Sequence, residues 1–126
     1  MTWNWVQRDV VFAVHDKQLA SHGGLAGIRD LTAVESAINR AQTVGTLPPD
    51  IAALAATYIY GIATSQGFND GRKRTAWVIG RMFLAINGET LVFNGVDAIN
   101  FMRAVAAGNM TEPQVADWLR QHLSNL

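Results

Sequence analysis

The run Ala76-Trp77-Val78-Ile79-Gly80-Arg81-Met82-Phe83-Leu84-Ala85-Ile86 constrains this chain more than any other segment. Wound as a helix, it is apolar on almost all sides, the pattern of a central helix surrounded by others. Broken by Gly80 and Arg81, it is too short to span a bilayer. The chain must therefore fold further helices around it.

The rest of the sequence supplies them. Val10, Val11, Val14 and Leu19 suggest an amphipathic first helix stopped by Gly23-Gly24. A second begins near Asp30, where Thr32 and Glu35 have capping-box spacing and Leu31, Val34 and Ile38 share a face. Pro48-Pro49-Asp50 opens a third, with Ile51, Leu54, Ala55, Tyr58 and Ile62 at helical spacing. The apolar helix itself starts near Gly71 and ends at the Asn87-Gly88 pair. Thr90-Leu91-Val92-Phe93 is the one extended candidate, an arm of a small hairpin. Asp97 to Ala107 reads as helix ending at Gly108, and Thr111 with Gln114 caps a last helix that has Pro113 in its first turn. No repeat, linker or low-complexity stretch interrupts this order. The expectation is an all-α fold: one domain over residues 1–126, a compact bundle around a central apolar helix, with at most a tiny β-hairpin.

Composition narrows the function classes. Apolar residues make up 49% of the 126 and charged residues only 16%, so the chain can bury a real core. Formal net charge is zero, which argues against a nucleic-acid or membrane binder held by bulk electrostatics. Without cysteine there are no disulfides or thiolate metal sites. The first residues lack the basic and apolar regions of a signal peptide, so a cytoplasmic protein is expected. His15, His22 and His122 lack metal-ligand spacing and read as surface or packing residues. Trp3, Trp5, Trp77 and Trp118 read as core or groove-lining aromatics.

Chemistry concentrates in Gln66-Gly67-Phe68-Asn69-Asp70-Gly71-Arg72-Lys73-Arg74-Thr75, at the entrance of the apolar helix. A helix starting near Gly71 points unpaired N–H groups and the positive end of its dipole at the loop. Lys73 and Arg74 add full charges, and Arg74 can grip a phosphate with two donors. Asp70 suits Mg²⁺, which binds through one or two carboxylates plus phosphate oxygens. Gly71 lets the backbone approach a ligand closely. A plainer reading stands beside this one: Asp is a routine cap, and Arg-Lys-Arg is a solvated first turn in many helices. Cations there oppose the dipole, however, so propensity alone does not favour them.

Phe68-Asn69-Asp70-Gly71-x-Lys73-Arg74-Thr75-Ala76 resembles the signature loop of the Fic/Doc superfamily, most closely its death-on-curing (Doc) toxin branch. That branch carries His-x-Phe-x-Asp-Ala/Gly-Asn-Lys-Arg-Thr. His15-Asp16, His22-Gly23-Gly24-Leu25-Ala26-Gly27, Glu35-Ser36-Ala37, Ala56-Thr57-Tyr58 and Phe83-Leu84-x-x-Asn87-Gly88 are similar to the same toxins, so the resemblance covers the whole chain. It implies a Fic/Doc-type helical bundle. It also implies a toxin that uses ATP and Mg²⁺ to phosphorylate a threonine of elongation factor Tu and so arrest translation. Lys73 matches the Lys that distinguishes the Doc branch from relatives that transfer AMP. By position, Asp70 would hold Mg²⁺, Gly71, Lys73, Arg74 and Thr75 would line the nucleotide, and Phe68 would anchor the loop. The implied partner is a small antitoxin whose disordered C-terminal segment folds into an apolar groove on the toxin.

Two catalytic positions depart from that pattern. Gln66 stands where the family has its general-base His, and an amide takes no proton at neutral pH. That role is worth roughly 10²–10⁴ in rate. Arg72 replaces an Asn that both donates and accepts, whereas Arg only donates and is always charged. Three readings stand: an impaired Doc-type kinase toxin, a catalytically inactive binding module of the same fold, or a Fic-type AMP transferase.

Overall fold

The computed structural model describes residues 3–43 and 50–126. Six helices follow one another: α1 Arg8–His22, α2 Leu31–Thr43, α3 Ile51–Thr64, α4 Arg72–Ile86, α5 Gly95–Ala106 and α6 Glu112–His122. Two three-residue strands, β1 Glu89–Leu91 and β2 Leu123–Asn125, complete the order. The fold is all-α, as the periodicity predicts.

The axis of the bundle is α3. Nine of its fourteen residues are buried, and α2, α4, α5 and α6 all pack on it. Its alanines keep it slim while Leu54, Tyr58, Ile59 and Ile62 fill the space between neighbours. The closest approach is at Gly80 of α4, where a Cβ would overlap the Ile59 side chain. The sequence marks α4 as central, and here the structure differs. α4 turns Ala76, Ile79, Phe83 and Leu84 inward but leaves Arg81 and Ile86 in solvent. Large side chains made α4 look the more buried, yet it is the small ones of α3 that admit neighbours all round.

Local chemistry sets the helix ends. α1 stops where Gly23 takes φ 76°, as the Gly-Gly pair predicts. Its buried face runs through Val11 and His15, with Val10 more than a third exposed. α2 is capped by Asp30, whose Oδ1 accepts from Ala33 N–H at 3.1 Å. The expected Thr32–Glu35 box does not form, because Asp30 takes the cap position and leaves Thr32 inside the first turn; Glu35 pairs with Arg8 at 3.3 Å, and Leu31 is exposed rather than on the buried face. The capping box at α6 does form, with Thr111 N–H on Gln114 Oε1 at 2.9 Å and Gln114 N–H on Thr111 Oγ1 at 3.3 Å. Pro48 and Pro49 lie outside the described residues.

The strand expected near residues 90–93 exists, but its partner is not a neighbouring hairpin arm. β1 pairs antiparallel with β2 from beyond α6, Thr90 opposite Ser124. At the other end, Asn4 and Asn87 exchange hydrogen bonds of 2.9 Å each, and Trp5 stacks on Phe83 at 5.7 Å. These contacts hold the segment before α1 against the C-terminal end of α4. Among the described residues, no helix is long and apolar enough to cross a membrane.

Asp50 caps α3 through Ala53 N–H at 2.8 Å and pairs with both Arg120 Nε (2.6 Å) and Nη2 (3.0 Å). The Arg120 hydrogen bonds, helped by the Ala53 N–H, hold the Asp50 carboxyl below its ordinary range against the opposing effect of burial. Half-exposed, the ion pair contributes little, and most of the stabilisation is the cap at about 1 kcal/mol. A depressed folded-state value means that this stabilisation is complete above the ordinary carboxylate value of about 3.9 and fades as pH falls through the folded one. Asp50→Ala is therefore expected to lower the melting temperature at pH 7. In melts repeated towards pH 2, the gap from the parent chain should close.

Candidate functional site

Between α3 and α4 the chain crosses the mouth of the bundle, and its path is set from below. Phe68 is buried, with the His15 ring stacked on it at 3.8 Å and Phe12 edge-on at 6.1 Å. Gly67 sits where any side chain would collide with Val34 and the Asp30 carbonyl. Backbone bonds from Arg29 N–H (2.7 Å) and Asp30 N–H (3.1 Å) to the Gly67 carbonyl tie the loop to the segment after α1. Ile28 and Phe68 form a single antiparallel bridge there. Asn69 adds a side-chain bond to the Ala26 carbonyl at 3.2 Å. This explains the Gly-Gly-Leu-Ala-Gly stretch, which serves as the loop's backing strip.

Asp70 is gripped at both ends. His15 Nε2–H donates to its backbone carbonyl at 2.6 Å, and Leu25 N–H donates to its Oδ2 at 2.7 Å. Gly24 permits the second contact, since a Cβ there would stand only 3.1 Å from Asp70 Cβ. In a trans peptide the N–H lies opposite the carbonyl, so the His15 bond turns Gly71 N–H away from the core. Gly71 then takes φ 81°, a left-handed conformation that glycine adopts without strain, and α4 begins. No backbone N–H from Gly71 to Arg74 donates to another described residue. Four donors and the positive end of the helix dipole are left at the surface.

They open into a cleft of about 980 Å³, of the size that holds a cofactor-sized ligand. Gln66 and Asp70 are exposed on its wall, as are Lys73 and Arg74. Arg72 also faces the cleft, and its Nη1 donates to the Ser65 carbonyl at 3.3 Å, beside Gln66. Sequence reasoning missed Arg29 and Arg103, which join from the backing strip and α5. Trp77, Phe93, Ala98 and Met102 contribute the apolar part of the lining. The α5 residues in this lining fall at helical spacing, a signal the sequence contained but that only the packing of α5 beside α4 could interpret.

Charge in this cleft is lopsided. It collects five of the chain's ten Lys and Arg but only one of its ten Asp and Glu. None of these five cations is ion-paired among the described residues, whereas Arg8, Arg40 and Arg120 all have carboxylate partners elsewhere. Three of the five sit in the first turn of α4, which holds no acidic residue. Each cation so placed costs about 0.3–1 kcal/mol against the dipole. An anion entering the cleft would remove that cost.

Of the sequence-predicted site residues, the fold brings Gln66, Asp70, Gly71, Arg72, Lys73 and Arg74 together on one wall. Thr75 is different: its side chain is fully buried, away from the cleft lining, and among the described residues its hydroxyl has no hydrogen-bond partner. It can serve a ligand only through the helix it belongs to. His15 is a buried packing residue that also shapes the loop, while His22 is exposed at the cleft edge. His122 stacks on Trp118 at 3.9 Å, far from this chemistry. Among the described residues, Asp70 Oδ1 is the one carboxylate oxygen in the cleft with no hydrogen bond, so Asp70 can offer a divalent cation a single ligand, the rest coming from water and phosphate.

The chain belongs to the Fic/DOC family, matching it over residues 5–84. It is similar to the protein kinase doc of Escherichia phage P1, at 31% identity over 118 residues, which cover 92% of this chain and 93% of that protein.

Replacing His15 by Leu removes the donor to the Asp70 carbonyl and leaves that part-buried oxygen facing an apolar side chain. A loss of about 1–3 kcal/mol is expected in thermal or urea unfolding, with faster amide exchange across residues 66–71. His15→Gln, which keeps a donor, should recover part of both.

Proposed function

We propose that this chain is a Doc-type toxin of a toxin–antitoxin pair, with a cleft that binds ATP and presents its terminal phosphate to a hydroxyl of a translation factor. The observation that carries the reading is the gathering of five cations without ion-pair partners and four N–H donors around a single carboxylate. The kinase relative supports phosphoryl transfer as the reaction class, and a threonine of elongation factor Tu is the proposed acceptor.

The chain's own residues divide the work as follows. The N–H groups of Gly71 to Arg74 and the Lys73 ammonium hold phosphate oxygens, and Arg74 grips two of them at once. Such positioning and charge compensation account for most of the catalysis in phosphoryl transfer. Asp70 is the one residue of the lining that could hold Mg²⁺, and the five fixed cations already compensate most of the phosphate charge. Gln66 lies on the cleft wall, where its amide oxygen can accept a hydrogen bond from the incoming hydroxyl. It orients that hydroxyl but does not remove its proton, so the reaction is slow in this form. Val92, Val96 and Ile99, all more than half exposed, lie at and beside the apolar wall and offer a partner segment a surface next to the site.

Gln66 also favours a second reading, a module that binds nucleotide or partner without turnover. Labelling separates the two. The purified chain, Gln66→His, and the double variant Gln66→His/Arg72→Asn are incubated with elongation factor Tu and ATP carrying label at the γ or the α position. Gln66→His is expected to raise γ-label transfer by roughly 10²–10⁴. Label from the α position would instead mean AMP transfer. No transfer by any of the three proteins would leave the binding module.

A further inference from the structure

Taking the nucleotide reading above as its basis, we infer that the cleft accepts the polyphosphate as the free anion rather than as its magnesium complex. Arg72 supplies the charge that a metal ion would otherwise bring. Five cations against one carboxylate leave a formal surplus of four positive charges on the lining. A nucleoside triphosphate at neutral pH carries roughly four negative charges, and its magnesium complex about two. The lining therefore matches the uncomplexed ligand and overcompensates the complex.

The donor set agrees with the charge count. Asp70 is the sole carboxylate, and half of it is spent: Leu25 N–H occupies Oδ2 at 2.7 Å. Among the described residues there is no group of three His, Cys, Asp or Glu side chains that could hold a metal ion. Mg²⁺ gives up its water reluctantly and demands near-octahedral geometry, so one half-engaged carboxylate ranked among fixed cations is a poor anchor. Arg72 occupies the position two residues beyond Asp70. One of its Nη1 hydrogens is directed at the Ser65 carbonyl, which steadies the guanidinium at the cleft and leaves four N–H donors for phosphate oxygens. Its charge is permanent, so it counts against a metal cation in the cleft at every pH.

Calorimetric titration of the purified chain with ATP tests this, once in EDTA and once in excess Mg²⁺. Binding in EDTA should be at least as tight as binding in Mg²⁺. Arg72→Asn should weaken binding in EDTA about tenfold while changing the Mg²⁺ titration less than threefold, so that the preference reverses. Arg72→Gln, with a different side-chain length at the same half-exposed position, should do likewise, and circular dichroism verifies that both variants fold. Binding by the parent chain only when Mg²⁺ is present would overturn the inference and leave the nucleotide site standing. An Arg72→Asn protein that binds in EDTA like its parent would also overturn it. No ATP binding in either buffer would overturn the nucleotide reading itself, and the inference with it.

Discussion

The hydrogen bond from His15 Nε2–H to the Asp70 carbonyl is the contact on which the site depends. It spans 55 positions in sequence and joins the middle of α1 to the residue before a left-handed glycine. With that carbonyl turned inward, the next N–H faces outward, and α4 starts with its donors in the open. Phe68 stacked on the same imidazole fixes the loop one step earlier. A single buried ring thus serves as floor for the loop and as anchor for its backbone.

The bundle provides the rigidity that such a loop needs. A helix that begins with three cations is poorly favoured on its own, because those charges oppose its dipole. Here α4 is held by burial further along, at Ile79, Phe83 and Leu84 against α3 and by the aromatic segment before α1. The first turn can then carry charge that its intrinsic propensity would not support. Packing and charge are divided along the length of one helix.

Much of this was legible in the sequence, and the rest failed for identifiable reasons. Helix order, the Gly23 stop and the Thr111–Gln114 cap followed from period and local chemistry. The sequence singled out α4, whereas the axis is α3, whose alanines let four helices pack close, a property that periodicity does not report. The partner of β1 was out of reach, since pairing across more than thirty residues leaves no local mark. Within the site, the cations on one helical turn were plain to see. Arg29, Arg103 and the reach of His15 were not, because each enters from another element and only tertiary packing brings it near.

The unshared positive charge of the cleft also bears on how the chain survives in a cell. Like charges held close together by a fold weaken that fold until something negative lies among them. Whatever anion settles there acts as a stabiliser by mass action, in proportion to the logarithm of its concentration over its Kd. Empty and filled chains would then differ in how often they open to a protease, and so in how long they last. A ligand that settled among these five side chains would in this way make the abundance of the protein a readout of its presence.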